Sequence, residues 1–416
     1  MLEFIAFDVE EGDSFLIKKG DKQILIDGGK DSSNLFPNKI KNLNINKLDL
    51  IVCTHADTDH AQGLINLLKS NVLNQCDMIW MPAKWKKHIQ ILKEQNSAFI
   101  PNLLEEIKKV DISEELIEEY IQESINEKDE KEPRLNVDDR LIIGYPYHVA
   151  DDIEASPPEN LLLSRLFKQS LDFNEYSAPI YNWSIERNYN FYTPKQFGLF
   201  RKVLHTYGKL IELIEVANHR GIPITWFDYV RTPLSIEDYN RFREDDLLTP
   251  LCHRPIAEID IESMPDPNIL EMLPKYSVNK DSIVLASKNT EDLPLVIISS
   301  DSDFEKIDWL PSSEAMLITV PHHGSANNIE AFNKCLEFSL GKNPILVRGD
   351  SNRISMSDEF IASRHDYTIY CTICRKWNSK GPNGTKIRNK PQTIHMHFQD
   401  KQWSLINNPI SCKCEK

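Results

Sequence analysis

Short apolar runs separated by glycine and acidic turns dominate the start of the chain. Phe4 to Val9 is apolar, Glu10-Glu11-Gly12-Asp13 is a turn, Ser14 to Lys18 is extended, Gly20-Asp21 turns again and Gln23 to Asp27 returns. That alternation predicts an antiparallel meander entering a sheet. Asp27-Gly28-Gly29 closes the third strand, with glycines that permit positive φ beside a carboxylate. Lys47 to Thr54 reads as the next strand and Ala61 to Lys69 as a helix. Much later, Phe200, Val203, Leu204, Tyr207, Leu210, Ile211, Ile214 and Val216 recur at helical spacing, which predicts a helix over Phe197 to His219 ended by Gly221-Ile222-Pro223. Ile224 to Tyr229, Ser282 to Ser287, Leu295 to Ser300 and Met316 to Val320 read as strands, so a second helix-and-strand layer follows the first.

Between about Cys76 and Lys195 the pattern changes. Glu105, Glu106, Glu114, Glu115, Glu118 and Glu119 fall on expected helices, and Lys-Asp-Glu-Lys-Glu-Pro at 128–133 is too charged to bury. Residues 76–195 therefore read as an acidic, mainly helical and aromatic insertion, with 1–75 and 196–416 as the two halves of one domain. The aromatic residues Phe173, Tyr176, Tyr181, Trp183, Tyr189, Phe191 and Tyr192 either pack a small subdomain or line a groove by stacking on bases.

The chain of 416 residues suffices for two to three domain-sized units. The N-terminus lacks the basic start and long apolar stretch of a signal peptide, and no apolar run is long enough to span a bilayer. A cytoplasmic protein with no membrane association is expected, its cysteines reduced or bound to metal. The net charge of −15 argues against coating nucleic acid through bulk electrostatics. It does not exclude a nuclease, because divalent cations supply positive charge locally.

The candidate chemistry begins where Leu50 to Thr54 runs into His55-Ala56-Asp57-Thr58-Asp59-His60. His and Asp suit Zn²⁺ or Mn²⁺, and a tight turn after a strand can aim several of them at a common centre. In an extended segment His55 and Asp57 share one side while Asp59 and His60 point apart, which allows two metals. The competing reading is a cluster of helix caps at Thr54, Asp57 and Thr58, which leaves two buried histidines unexplained. Acidic residues recur after Leu295 to Ser300, at Asp301 and Asp303, and Met316 to Val320 runs into Pro321-His322-His323-Gly324-Ser325. Asp301 could instead cap a helix from Phe304, and His322 and His323 could be polar residues at a helix start. Convergence of strand ends from one sheet is how layered folds build active sites.

Taken together, these segments resemble the metallo-β-lactamase fold and, within it, the soluble hydrolase domain of the DNA-uptake channel protein ComEC. Phe7 to Ser14 with Ile24 to Gly29 resembles that family's opening hairpin, His55 to His60 its metal loop, Asn279 to Leu285 with Ile297 to Asp301 its strand pair, and Val320 to Ser325 its histidine motif. The resemblance implies an αββα sandwich of the α+β class. It implies that His55 and Asp57 hold one divalent metal with a histidine from His322-His323, that Asp59 and His60 hold a second, and that Asp301 bridges them. A hydroxide activated by the two metals would be the nucleophile, Asp59 would orient it, and whichever of His322 and His323 is not a ligand would stabilise the oxyanion or protonate the leaving group. Asp27 more naturally steadies the glycine turn or hydrogen-bonds a ligand than binds metal. Ser300 stands where the family has Gly, and Asn352 to Ser357 lacks the family's His-Pro pair.

Phosphodiester hydrolysis fits paired cations best, and the resemblance points to a nuclease taking DNA in preference to RNA. Arg364, Arg375, Lys376, Lys380, Lys386, Arg388 and Lys390 with Trp377 offer a strand-binding face, or else a solvated loop around Gly381-Pro382-Asn383-Gly384. Cys371, Cys374, Cys412 and Cys414 have spacings reminiscent of a structural zinc clip, although a buried free thiol at Cys371 is ordinary. Two other classes stay open. One is a metallohydrolase for a nucleotide, lactone or thioester; the other is an effector of a multi-gene system such as antiviral defence, with a protein partner bound through residues 76–195.

Overall fold

The computed structural model describes residues 1–94, 102–107, 194–229, 247–264, 281–349, 356–380, 386–388 and 392–412, apart from isolated positions within those ranges. The expected acidic helices beyond residue 110, the aromatic segment 173–192 and the Asn352 loop lie outside the described residues. Two compact units divide the chain, one of residues 1–90 and 209–416 and the other of residues 91–208.

In the first unit the meander is β1 (Leu2–Ala6), β2 (Phe15–Lys19) and β3 (Lys22–Ile26). After helix α1 (Phe36–Asn42), the expected strand over Lys47 to Thr54 is interrupted, forming β4 (Lys47–Leu48) and β5 (Leu50–Val52). Asp49 between them turns its carboxylate to accept the Gln23 backbone N–H at 2.7 Å. Helix α2 (Thr58–Lys69) follows, then β6 (Gln75–Cys76), β7 (Ile79–Pro82) and α3 (Ala83–Glu94). β7 lies inside the segment read from sequence as insertion, yet it pairs in parallel with β5 on one side and with β8 (Ile224–Tyr229) on the other. Helix α4 (Pro194–His219) leads into β8.

The remaining strands of this unit are β9 (Leu248–Pro250), β10 (His253–Pro255), β11 (Leu285–Ser287), β12 (Leu295–Ile298), β13 (Met316–Thr319), β14 (Ile345–Arg348) and β15 (Thr368–Cys371). A hairpin of β16 (Arg375–Lys380) and β17 (Lys386–Arg388) precedes β18 (Ile394–Gln399) and β19 (Gln402–Leu405). Helices α5 (Glu258–Glu262), α6 (Ile329–Phe338) and α7 (Asp358–Ser363) complete it. One nine-stranded sheet runs β10-β8-β7-β5-β3-β2-β1-β18-β19 and a six-stranded sheet runs β15-β14-β13-β12-β11-β9.

The two sheets face each other across a common core. Phe4, Ile17, Ile24 and Leu50 form one cross-strand row of the first sheet and meet Leu285, Val296, Ile298, Leu317 and Val347 of the second. The adjacent row, Ile5, Leu16, Leu25 and Ile51, is buried on the opposite face, as the period of two requires. On the far face of the second sheet, Leu295, Ile297, Met316, Ile318 and Leu346 pack with Ala331, Phe332 and Cys335 of α6 and Phe360 of α7. This is why β12 and β13 read as unbroken apolar runs: strands buried on both faces leave no polar side. Each such Leu, Ile or Phe withdrawn from water contributes roughly 1.5–3 kcal/mol. The fold is α+β, the metallo-β-lactamase sandwich.

α2 reaches its place because two glycines let backbones touch. A Cβ on Gly63 would stand 2.0 Å from the Gly28 carbonyl oxygen, and a Cβ on Gly28 would stand 2.3 Å from the Leu64 amide. Positive φ at the end of β3 falls on Asp27 and Gly29, while Gly28 is required by this approach. Among the described residues no helix is long and apolar enough to cross a membrane.

Candidate metal centre

The site forms where the C-terminal ends of β3, β5, β12, β13 and β14 open toward the same edge of the sandwich. Parallel strands bring their ends to one edge, and the loops that leave them carry the polar side chains. β3 supplies Asp27, the β5–α2 loop His55 to His60, the β12 end Ser300 and Asp301, and the β13 end His322 and His323.

Asp301 is the hub. Its Oδ2 lies 3.6 Å from Nε2 of His55 and 3.6 Å from Nε2 of His322. Its Oδ1 lies 3.6 Å from Nε2 of His60 and 3.6 Å from Nε2 of His323. One carboxylate thus divides four imidazoles into two pairs, one pair to each oxygen. Asp59 stands at the border, partly exposed, with Oδ2 3.9 Å from Nε2 of His323. Asp57 is the N-cap residue of α2, and its side chain makes no capping hydrogen bond. Asp301 is followed by an irregular segment rather than a helix, so it caps none.

The histidines are held from behind. Asp27 Oδ2 faces Nδ1 of His60 at 2.8 Å, while its Oδ1 accepts the Thr54 backbone N–H at 2.8 Å. The Thr54 hydroxyl donates to Asp27 Oδ2 at 2.6 Å and lies 3.1 Å from Nδ1 of His55, with the Ser300 hydroxyl 3.3 Å from the same nitrogen. With N–H on Nδ1 toward these partners, the lone pair is left on Nε2, where it could meet a cation. The backbone is strained at the same points: Ser300, His322 and His323 have φ of 49°, 44° and 54°. Left-handed non-glycine residues at such a cluster indicate geometry imposed by the surroundings.

Nε2 of His55, His60 and His323 and Oδ1 of Asp301 are all buried without a hydrogen-bond partner. Each such atom costs about 1–3 kcal/mol if left so. Buried orphans gathered around the Asp301 carboxylate, and all of ligand chemistry, fit divalent cation binding. His60 and Asp301 are also grouped within 4.8 Å with His323 and Asp13, and His60 is grouped with His55 and Asp27.

Electrostatics agree. Burial, and then the neighbouring His60, His322 and His323, hold His55 well below its usual range, so it is neutral. Burial pulls His60 down as well, but Asp301, Asp27 and Asp59 outweigh it and hold the imidazole well above the usual range. His323 is raised to about 9, with burial opposing and Asp13 and Asp301 prevailing. A buried acidic cluster that retains protons on its imidazoles is one that demands positive charge.

Residues 8–75 match the metallo-beta-lactamase superfamily. That span covers the meander, Asp13, Asp27 and the metal loop, and it ends before Asp301, His322 and His323. No curated protein matches the chain. The superfamily consists largely of hydrolases, and the buried His/Asp grouping is of the kind that holds divalent metal, so the match and the site together support a metal-dependent hydrolase.

Two residues escaped the sequence reading as site components. Asp13 is buried with Oδ1 3.3 Å from Nδ1 of His323. Arg348, fully buried, donates from Nε to the His323 carbonyl at 2.6 Å. The signal available for Arg348 was a fourth apolar run, Ile345 to Val347, ending like the others in polar residues. Of the suggested zinc clip, Cys371 is buried at the end of β15 and Cys412 donates its backbone N–H to Ile369 at 2.7 Å, while Cys374 and Cys414 lie outside the described residues. The basic C-terminal residues 375–380 and 386–388 form the β16–β17 hairpin, and their side chains lie outside the described residues.

Proposed function

We propose that the chain is a dinuclear metal-dependent phosphodiesterase acting on nucleic acid, DNA in preference to RNA. The observation that carries this reading is the division of four histidines between the two oxygens of Asp301. His55 and His322 with Asp301 Oδ2 would hold one cation, and His60 and His323 with Asp301 Oδ1 the other. Asp57 and Asp59 would complete the two sets from the loop they share. On this reading both His322 and His323 are ligands, one to each cation. Zn²⁺ or Mn²⁺ bound there supplies Lewis acidity and an acidified water suited to in-line displacement at phosphorus.

The chain's own groups do the rest. Asp59 Oδ2, at the partly exposed border of the cluster, would accept the proton of the attacking water and orient it. His322, 15% exposed in its side chain, marks the side from which substrate approaches. Asp27 and Thr54 keep His60 and His55 in the ligating tautomer. The preference for DNA is supported by the sequence resemblance to the ComEC hydrolase domain.

Incubation of the purified chain with Mn²⁺ or Zn²⁺ and single-stranded DNA, duplex DNA, RNA and bis-p-nitrophenyl phosphate tests the reading. Metal-dependent DNA cleavage that is lost in Asp59→Ala is expected. A metal-loaded protein that leaves every nucleic acid intact while hydrolysing a nucleotide, lactone or thioester would overturn it in favour of a small-molecule hydrolase.

A further inference from the structure

The buried histidines at the site are not held alike. His60 has the Asp27 carboxylate behind its Nδ1 at 2.8 Å, and His55 has the hydroxyls of Thr54 and Ser300. His323 is buried as completely, and what faces its Nδ1 is Oδ1 of Asp13 at 3.3 Å, close but without the alignment of a formed hydrogen bond. Asp13 is 1% exposed and neither of its oxygens has a hydrogen-bond partner. A carboxylate is not buried in that state without a charge to meet it.

Its position is fixed by backbone on two sides. A Cβ on Gly349 would stand 1.8 Å from Asp13 Oδ1, so the carboxylate fills the space a side chain there would need. A Cβ on the preceding Gly12 would stand 1.7 Å from the Asp59 carbonyl oxygen, which ties the β1–β2 turn to the metal loop. On the other flank, Arg348 holds the His323 carbonyl. The carboxylate of Asp13 thus stands beside Nδ1 of the ring and Arg348 holds the backbone through its oxygen, while Nε2 faces Asp301 and Asp59.

We propose that Asp13 is a positioning residue that holds Nδ1 of His323 and so directs Nε2 to the cation bound on the Oδ1 side of Asp301. The inference rests on the dinuclear reading given above. Asp13 stands behind His323 as Asp27 stands behind His60, at 3.3 Å in place of 2.8 Å. Outer carboxylates of this kind commonly set metal affinity by 10–100-fold.

Calorimetric Mn²⁺ titration of the full chain and of Asp13→Asn, an isosteric change, tests it, with Gly349→Ala as a second variant that displaces the carboxylate without removing it. The wild type is expected to bind two equivalents. Asp13→Asn should still bind two, one of them about 10–100-fold more weakly, and its Co²⁺ spectrum at saturation should keep its shape. In a His323→Ala background Asp13→Asn should have no further effect on affinity, because it acts through that ring. An unchanged titration overturns the proposal. So does outright loss of one equivalent with a changed Co²⁺ spectrum, which would make Asp13 a ligand itself. A wild type that binds no divalent cation would instead sink the dinuclear reading beneath it.

Discussion

Thr54 Oγ1 and Ser300 Oγ lie 2.6 Å apart, joining the second residue after β5 of one sheet to the second residue after β12 of the other. The contact ties the two sheets together at the edge where the metal site forms, and both hydroxyls also reach Nδ1 of His55.

Ser300→Ala removes this link while keeping the left-handed backbone, whose φ is 49°. A loss of about 1 kcal/mol in urea unfolding is expected. Ser300→Gly loses the same bond but relieves roughly 1–2 kcal/mol of left-handed strain, so it should be more stable than alanine by about that amount and equal or slightly exceed the wild type. Alanine and glycine variants of equal stability would contradict this.

Gly63→Ala probes the docking of α2. The new methyl would stand 2.0 Å from the Gly28 carbonyl oxygen, and both partners are backbone. Overpacking of this kind costs about 1–3 kcal/mol. Because α2 carries Asp59 and His60 in its first turn, metal affinity should fall together with the melting temperature. A variant that keeps wild-type affinity would show that the site does not depend on this contact.

Arg348→Lys keeps the charge and removes the Nε donor that holds the His323 carbonyl at 2.6 Å. Hydrogen bonds from charged groups contribute about 1.5–3 kcal/mol, so a loss of that order in urea unfolding is expected. Wild-type stability in this variant would mean that the His323 backbone is held by other contacts.

His88 in α3 gives the acid dependence. Burial, with the Lys84 charge adding to it, pulls its pKa from 6.5 down to about 3. The unfolded chain takes up a proton near pH 6.5 that the folded chain refuses until about pH 3. Stability from this group is therefore intact above pH 6.5 and falls as the pH drops toward 3. His88→Leu should flatten the acid limb of a plot of melting temperature against pH. Identical acid limbs in the two proteins would contradict the assignment.

The sequence made the His/Asp clusters legible because each follows an apolar strand: His55 to His60 after Leu50–Val52, Asp301 after Leu295–Ile298, and His322-His323 after Met316–Thr319. The sandwich was legible for the same reason, since strands buried on two faces read as solid apolar runs. What supports these clusters was less visible. Asp13 sits in Glu10-Glu11-Gly12-Asp13, which has the composition of any solvated turn, and only the closeness of Gly349 and His323 buries it. Arg348 ends a strand as a surface arginine would, and its burial comes from packing over Phe360 with a ring-centroid distance of 6.0 Å. The pairing of β7 with β5 and β8 was hidden because a strand of four residues carries too little periodicity to be separated from the segment that follows it.

Elemental analysis of the purified full chain beside its Asp301→Ala variant tests most directly whether one carboxylate organises two cation sites. Two divalent cations per chain are expected in the wild type, with at least one lost in the variant. A wild type that carries none, or a variant that retains both, would contradict it.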